Sequence, residues 1–488
     1  MMIPHRHDAG AAALLACIAI AGCAVGPEFE RPSGPDTPHY LARDDEVVPP
    51  DPAQQRIVPA DDVPATWWRA FGSKPIDTAV QRALERNGTL EAAKASLRAS
   101  EETWRAGGGA FDPAVEASVS ARRTRSAPIQ QGSASRGEPF SVLSASTSVT
   151  FPLDIFGGRR RAVEGLQAQA ELQAHAVSAA RVALIANVVD ACIALAGYRS
   201  QRRATLELIA FERDQLHGID AQVRAGTAAR FSSLTLQSLI AADEALLSEL
   251  DQRISVTRHR LAVLQGTPPS ELTAVDLDFA DIQLPMELPL SLPSTLARQR
   301  PDILAAEARL HAASANIGVT TAAMFPSFDI AATYGAAGSN VANWLDPIGR
   351  FWTIGPALAA PLLNGGALAH ARQAAIDDYQ AQQATYRQTV VAALGEVADA
   401  LQALRHDAQA VRAQEAASDT AREALRLVQA NQRSGLVAYV DVLAADVALR
   451  RAAIGLVQAQ AARYQDTVAL LAALGGGEWA APPTGARP

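Results

Sequence analysis

The residues with the clearest chemical role lie near the start of the chain, where an apolar run ends in a cysteine. Residues 9–21 form a short apolar core, and the chain continues as Gly22-Cys23-Ala24. A lipoprotein signal peptidase requires small residues before the cysteine, because its pocket must approach the backbone closely. We therefore predict that residues 1–22 are a signal peptide and that Cys23 is acylated. Ala24, rather than Asp, favours sorting to the outer membrane, and an ordinary signal with a chance cysteine is the alternative.

Apart from a covalent lipid on Cys23, the residue types that usually serve catalysis or cofactor binding are not arranged to do so. The nine His are scattered without metal-ligand spacing, and Gly107-Gly108-Gly109 does not form a phosphate loop between a strand and a helix. Cys17 belongs to the signal peptide, so Cys192 has no disulfide partner in the mature chain and is expected to be a small buried residue. The sequence predicts no enzyme activity and no cofactor.

The composition favours long helices and argues against a nucleic-acid partner. The 488 residues exceed one compact domain, and the 49% hydrophobic residues include only 5% aromatics. Aliphatic residues mixed with Glu, Arg and Gln suit helices packed side by side. The net charge is −8, without a long basic run, which does not suit nucleic acid. Because no segment after the signal peptide offers ~18 uncharged apolar residues, a polytopic helical membrane protein is not expected.

The distribution of prolines marks two long helical segments. The chain has 28 Pro, but none falls within residues 153–267 or 362–481. A proline inside a helix costs about 3 kcal/mol, so both gaps indicate helix. Apolar residues in the gaps recur at alternating steps of four and three, which is the heptad spacing of helices that coil around neighbours. Examples are Leu184, Val188, Ala191 and Leu195, and Val390, Leu394, Val397, Leu401 and Leu404.

A glycine interrupts each helical segment near its middle. The two strings are Ala225-Gly226-Thr227 and Ser434-Gly435-Leu436-Val437. A glycine at the same place in both segments predicts a turn between two antiparallel arms, and a glycine tolerated inside a helix is the alternative. Each arm would then have about 50–65 residues and a length of about 75–100 Å. We therefore expect two long, rod-like coiled-coil helical hairpins.

Short segments of alternating apolar residues flank the helical segments. They predict four strands, joined into β-hairpins at about 113–152 and 326–361. Each segment approaches the ~9–11 residues with which a tilted strand crosses a bilayer. Trp344, Phe351 and Trp352 suit an aromatic belt at the membrane interface. Two ordinary soluble hairpins are the alternative.

The arrangement occurs twice along the chain. Gly157-Gly158 corresponds to Gly365-Gly366 at an offset of 208, and Gly226 corresponds to Gly435 at an offset of 209. These offsets predict two internal repeats. The expected organisation is a lipid-anchored linker at 23–64, repeat 1 at 65–265, a Pro-rich equatorial linker at 266–293, repeat 2 at 294–475 and a C-terminal tail at 476–488.

Four strands cannot close a barrel on their own. An unpaired sheet edge in lipid leaves backbone groups unsatisfied, at a cost of several kcal/mol each. Closure takes at least ~8 strands, so several copies of the chain must contribute, and three copies would supply twelve strands. The predicted fold class is mainly α with a small β part, in which hairpins from several copies continue a membrane barrel as a conduit.

Several strings resemble the outer-membrane efflux protein family typified by TolC, and within it the lipoprotein branch of the OprM and NodT type. Cys23-Ala24-Val25-Gly26-Pro27 is similar to the opening of that branch, and Trp67-Trp68 resembles its Trp-rich entry to the first helix. Arg300-Pro301-Asp302-Ile303 is the most specific internal match. The similarity covers nearly the whole mature chain. The first tip departs from the family, since Ser233-Leu234 stands where the second tip has Val440-Asp441-Val442.

The resemblance implies a homotrimer with a twelve-stranded barrel and a twelve-helix periplasmic tunnel, anchored in the outer membrane by lipid. It also implies two partners, a periplasmic adaptor protein and an inner-membrane transporter that is usually proton-driven. The expected function is a passive exit duct for small molecules such as drugs, toxic solutes or metals. The alternatives are a duct for type I protein secretion and a periplasmic coiled-coil lipoprotein without a pore.

The same resemblance assigns functional residues at the hairpin tips. In the family these tips meet the adaptor. The docking residues are then Gly226, Thr227, Gly435, Leu436 and Val437. Asp441 and Asp446 lie just past the second tip, and in a trimer each would form a ring of three carboxylates if it faced inward. Such rings favour cations and would help to form a periplasmic gate, whereas solvated charge on the outer face is the alternative.

Overall fold

The computed structural model describes residues 24–35, 37–41, 55–60, 63–125, 138–272, 277–340 and 346–477. The predicted signal peptide, Cys23 and Trp344 lie outside these residues. The described chain is mainly helical, with one four-stranded and one two-stranded sheet. In chain order its strands and helices are β1 (Arg56–Pro59), α1 (Lys74–Arg86), α2 (Gly88–Gly108), β2 (Ala114–Thr124), β3 (Phe140–Leu153), α3 (Gly158–Arg224), α4 (Arg230–Leu264), β4 (Glu287–Leu290), α5 (Pro293–Gln299), α6 (Pro301–Ala322), β5 (Ser327–Gly338), β6 (Arg350–Ala359), α7 (Ala367–Arg433) and α8 (Tyr439–Ala473).

The order of elements is the same in the two halves of the chain. Helices α2 and α6 have 21 and 22 residues, and each precedes a pair of strands. Helices α3 and α7 have 67 residues each, and α4 and α8 have 35 each. The two halves therefore match in the order and length of their elements, and a duplication of the chain stays a prediction. We refer to α3 with α4 as hairpin 1 and to α7 with α8 as hairpin 2.

The arms of each hairpin are unequal, so the expectation of two arms of about 50–65 residues was wrong. A 67-residue helix is about 100 Å long and a 35-residue helix about 53 Å. The short arm of hairpin 1 ends at Gly266, where φ is +65° and a Cβ atom would lie 2.1 Å from the carbonyl oxygen of Arg86. Beyond that point α2 and α6, which directly precede the strands of the four-stranded sheet, pack against α3 in place of α4.

The heptad residues predicted from spacing form the interior seam of the hairpins. Val188 and Leu195 of α3 are fully or almost fully buried, and so are Val397 and Leu404 of α7. The main apolar core joins these residues to Trp67, Phe71 and Ile76, which lie just before and within α1, and to Leu470 near the end of α8. The core therefore lies across the middle of the molecule, where both hairpins and the linkers meet.

Helix α3 contains one long apolar stretch. One 18-residue window has a mean hydropathy of 1.8, and by length and composition alone it would suffice to span a membrane. Half of that window is buried inside the protein, which fits a helix whose residues Leu184 to Ala196 supply the main core. Cys192 lies within this stretch, and its complete burial raises the pKa of the thiol to about 12.

Two strands join the linkers to each other, and a buried arginine, to which no role was assigned from the sequence, connects α6 to hairpin 2. Strand β1, within the predicted N-terminal linker, pairs in parallel with β4 of the Pro-rich linker. Arg300 donates to the carbonyl oxygens of Ala393 (3.2 Å) and Ala473 (3.1 Å) and pairs with Glu396. Because Ala473 is the last residue of α8, this guanidinium also faces the negative end of that helix. Arg300 thereby fixes the start of α6 to both arms of hairpin 2.

Candidate functional site

The four-stranded sheet has the dimensions of a membrane-crossing segment. Its order is β2-β3-β5-β6, with each neighbouring pair antiparallel. The strands have 11, 14, 12 and 10 residues, which meets the ~9–11 residues that a tilted strand needs to cross a bilayer. Its register is continuous across all four strands, so each side chain can be assigned to one of two faces.

One face of the sheet is almost entirely apolar and exposed. Residues directly opposite each other in an antiparallel pair share a face, and the register places Val119, Ala145, Ala336 and Arg350 in one such row. Many large apolar side chains on this face are more than half exposed. They are Val115, Val119, Tyr334, Trp352, Ile354 and Leu358. An apolar band of this kind matches the lipid-facing surface of a membrane barrel.

The opposite face is polar and small. Ser118 and Ser120 of β2 form hydroxyl hydrogen bonds with Ser146 (3.0 Å) and Ser144 (2.9 Å) of β3. Glu116 and Arg122 lie on the same face, because they share the parity of these serines along β2. This face has the character expected of the inner wall of a water-filled barrel.

The strand register places two residues of the predicted aromatic belt on opposite faces of the sheet. Trp352 is opposite Tyr334 on the apolar face, in agreement with a belt. Phe351 is opposite Gly335 on the polar face, where a Cβ atom at 335 would lie 2.6 Å from the Phe351 ring. Adjacent residues of a strand point to opposite faces, so Phe351 and Trp352 cannot both face lipid. The prediction was wrong for Phe351, while Trp344 lies outside the described residues.

Both edges of this sheet are open within the described chain. Strand β2 pairs only with β3, and β6 pairs only with β5. Each outer edge therefore presents a row of backbone N–H and C=O groups without a strand partner. Since each such group costs several kcal/mol in a hydrocarbon environment, the sheet requires further strands before it can reside in a bilayer.

The segment after the predicted lipid site is held at the base of the sheet. The backbone N–H of Val25 donates to the carbonyl oxygen of Phe156 at 3.0 Å, just before α3 begins. Ala24 lies against Gly157, whose φ is +75° and whose missing side chain leaves room for it. Cys23 is outside the described residues, but its neighbour is fixed where the sheet meets the long helix. Acylation of Cys23 stays a prediction.

The glycines at 226 and 435 form two turns of the same geometry. Their φ values are +75° and +74°, in the left-handed region that glycine adopts without a steric cost. In each turn the N–H of the following residue donates to a carbonyl five residues back, Thr227 to Gln222 and Leu436 to Asn431, both at 2.9 Å. Val437 is half-buried beside the second turn. The five predicted docking residues therefore lie at the two hairpin tips.

Each tip also exposes large apolar side chains. At the second tip Leu436 is 74% exposed and Val440 is 51% exposed. At the first tip Phe231 is 76% exposed and Leu234 is 51% exposed. The sequence analysis did not assign Phe231, although an apolar residue directly after a turn and outside the heptad pattern is a signal for it. Paired apolar side chains at a solvent-exposed tip suit a protein-binding surface.

The two candidate gate residues have different surroundings. Asp441 is exposed, and its Oδ2 accepts the backbone N–H of Ala438 at 3.0 Å in the first turn of α8. Asp446 is buried and forms an ion pair with Arg450 at 2.6 Å. The carboxylate of Asp446 is thus neutralised within the protomer, while that of Asp441 remains open to solvent. The gate role of either residue stays a prediction, and these surroundings favour Asp441.

Each hairpin contains a pair of carboxyl groups between its arms that the sequence analysis missed. In hairpin 1, burial and the adjacent Asp243 raise the pKa of Glu212 to about 7. In hairpin 2, burial and the hydrogen bond and charge of Asp466 raise the pKa of Asp407 to about 7. Among the described residues, no group of three or more His, Cys, Asp or Glu is arranged to hold a metal ion.

Comparison with known proteins gives one consistent result. The family model described as "Outer membrane efflux protein" matches residues 79–267 and 292–476. The pyoverdine export outer membrane protein OpmQ of Pseudomonas putida is 29% identical over 422 residues, which is 86% of this chain and 89% of OpmQ. Nodulation protein T of Rhizobium leguminosarum is 28% identical over 98% of this chain and 95% of its own. The solved outer-membrane channel OprN superposes with a TM-score of 0.83 at 27% identity, over 93% of this chain and 99% of that one.

A charge introduced at two neighbouring residues is expected to affect membrane insertion differently, because the two side chains lie on opposite faces of the sheet. Val119→Glu places a charge in the centre of the apolar face, so we expect a cost of up to about 2 kcal/mol per strand and loss of the protein from the membrane fraction. Ser120→Glu adds the same charge on the polar face and is expected to leave the membrane-inserted amount unchanged. Membrane fractionation with quantitative immunoblotting measures both variants. Equal losses for the two variants would contradict the assignment of faces.

Proposed function

The chain belongs to the outer membrane efflux protein family, and we propose that three copies of it form a passive exit duct across the periplasm and outer membrane. The protein is the outer-membrane component of an efflux system, since the family match covers both halves of the chain and the aligned relatives include an export protein and a channel. Their names describe export and channel functions rather than catalysis, which fits a protein that is not an enzyme.

The open-edged sheet is the observation that carries the proposed assembly. Four strands with an apolar outer face and two unpaired edges require closure by other strands. A ring in which β6 of one copy pairs with β2 of the next leaves no edge open. Three copies supply twelve strands, enough to enclose a water path, whereas two copies supply eight, whose interior is filled by side chains. The polar serine-rich face would then line the water path.

The helical hairpins extend this barrel as a tunnel in the proposed assembly. Each protomer contributes two long arms and two short arms, so three copies would give twelve helices in the tunnel. The long arms measure about 100 Å, which is several times the ~30 Å hydrocarbon thickness of a bilayer. Most of their length must therefore lie outside the membrane. We place it in the periplasm, on the same side as the acylated Cys23.

The exposed tips are the proposed contact with the rest of the efflux system. A duct without a motif for nucleotide hydrolysis depends on another protein for energy, and we propose an inner-membrane transporter joined through a periplasmic adaptor. The turns at Gly226-Thr227 and Gly435-Leu436-Val437, together with the apolar side chains beside them, would bind that adaptor. This docking proposal is supported by the exposure of Phe231 and Leu436, neither of which is buried by other described residues.

Channel formation is the direct test of this function. The purified full-length protein in detergent is expected to have the mass of a trimer and to give discrete conductance steps in planar bilayers. Light scattering coupled to chromatography measures the mass, and single-channel recording measures the conductance. A stable monomer, or a trimer without conductance under any applied voltage, would exclude the duct.

Substitution of an apolar tip residue tests adaptor docking. Leu436→Asp removes an exposed apolar contact, so we expect the rate of dye efflux from cells to fall by about tenfold, as for loss of an interface hot spot. Val256→Asp is the control, because Val256 is also 59% exposed but lies on α4 far from the tip. Both variants are compared at equal levels of trimer. Docking at the tips is refuted when cells with Leu436→Asp and cells with Val256→Asp export the dye at the same rate.

The proposed gate role of Asp441 predicts a change in ion selectivity. Three inward-facing carboxylates would attract cations, so Asp441→Asn is expected to move the reversal potential in a KCl gradient towards zero. Asp214→Asn removes the same number of charges from the exposed surface of α3 and is expected to have little effect. An unchanged reversal potential for trimeric Asp441→Asn channels argues for an outward-facing carboxylate.

A further inference from the structure

Glu212 and Asp243 occupy interior positions of hairpin 1 where apolar residues are expected. Along α4 the buried residues Ser233, Leu236, Ile240, Asp243 and Leu250 follow the heptad spacing, and Glu212 lies in the corresponding row of α3. The apolar cluster of this region contains Leu208, Ile209, Ile219, Leu236 and Ile240. Glu212 is 0% exposed and Asp243 is 8% exposed. A carboxyl pair has therefore replaced apolar contacts in the seam between the two arms.

Three of the four carboxylate oxygens of the pair lack a hydrogen-bond donor. Both carboxylate oxygens of Glu212 and Oδ2 of Asp243 are buried without a partner among the described residues. Two ionised carboxylates can only accept hydrogen bonds, so they cannot satisfy each other. A single proton shared between them turns one group into a donor and removes one of the two charges. The pair resembles other closely spaced carboxyl groups that hold one proton in common.

The charged groups around the pair do not neutralise it. No ion pair within 4.0 Å joins Glu212 or Asp243 to any described Lys or Arg. The nearby cations are Arg450 and Arg451 of α8, the one helix of hairpin 2 that packs on α3 here. Arg450 is engaged with Asp446 at 2.6 Å, with Glu207 at 4.0 Å and with the Phe211 ring at 5.0 Å.

The groups on the flanks of the pair are also accounted for. Arg213 and Glu244, which follow the two carboxyl residues in sequence, form their own exposed ion pair at 2.6 Å. Burial and the neighbouring Asp243 outweigh the two arginines of α8 and raise the pKa of Glu212 to about 7. The shift is thus in the direction that the geometry requires, because both causes disfavour a second negative charge.

We propose that Glu212 and Asp243 form a proton-binding site between the arms of hairpin 1, and that release of this proton loosens the arms near the first tip. Proton loss leaves two unpartnered negative charges in an apolar seam, which favours separation of α3 from α4. The site lies 12 residues before the end of α3, so the loosened region includes the proposed docking tip. Periplasmic pH would then modulate the flexibility of the tip, a property beyond the proposed duct function.

The sign of the effect follows from the raised pKa. A carboxyl group whose pKa is higher in the packed state favours packing while it is protonated, and this contribution is lost as the pH rises through the packed-state value. With a packed-state pKa of about 7 and an ordinary value of 4.5 in the opened state, the ratio of opened to packed hairpin increases about tenfold between pH 6 and pH 8.

Hydrogen exchange on the purified full-length protein tests the proposal. After correction for intrinsic exchange, peptides within 205–250 are expected to open about tenfold more at pH 8 than at pH 6. Glu212→Gln cannot titrate and can donate a hydrogen bond to Asp243, so this dependence should disappear. Infrared spectra give a second measurement, because the protonated-carboxyl band present in the unmodified protein at pH 6 should weaken in Glu212→Gln.

The controls separate the site from other titrating groups. Asp214→Asn, an exposed substitution two residues along α3, should retain the full pH dependence. Asp243→Asn is the second variant of the pair, and it should also lose the pH dependence. It provides the test if Glu212→Gln does not fold. The proposal is overturned when opening of hairpin 1 is independent of pH in the unmodified protein, or when both pair variants keep the dependence. Mass and conductance of the same samples report separately on the duct.

Discussion

Every backbone N–H and C=O group inside a bilayer must be paired, and this requirement determines that the sheet can enter a membrane only with further strands. The four-stranded sheet has one continuous register and an apolar face, yet its two outer edges carry unpaired groups. A compact soluble protein would cover such a face with helices, whereas here the large side chains remain exposed. The sheet therefore needs further strands before it can lie in a bilayer, and the proposed trimer would supply them.

In the helical part, side-chain packing rather than backbone pairing determines how the elements associate. Long helices satisfy their own backbone groups, so their association depends on the heptad seam. Helices α2 and α6 fill the positions beside the long arms that the 35-residue arms do not reach. Buried Arg300 then fixes the start of α6 to hairpin 2, and the β1–β4 pair joins the two linkers. The carboxyl pairs are exceptions to apolar packing, and exceptions of that kind are where function is to be sought.

Much of this architecture was predictable because it rests on local periodicity. Alternation predicted the strands, heptad spacing predicted Val397 and Leu404 in the interior seam, and the glycines at 226 and 435 marked both turns. The prediction for Phe351 failed because aromatic type was weighed without strand parity. The prediction of about 50–65 residues for each arm failed because the length of a helical segment does not reveal which other helices will pack against it.

The sequence by itself determined the elements, the two faces of the strands and the positions of the tips, since each follows from residue type and spacing within one segment. Only the tertiary structure decided which distant residues meet. Glu212 and Asp243 are 31 positions apart and ordinary as single residues, and their chemistry arises because packing of α3 on α4 removes both from water. Likewise, an ion pair with Arg450 neutralises the carboxylate of Asp446, whereas the carboxylate of Asp441 is exposed to solvent. Burial and charge pairing depend on contacts between segments, and such contacts are not encoded in the spacing within any one of them.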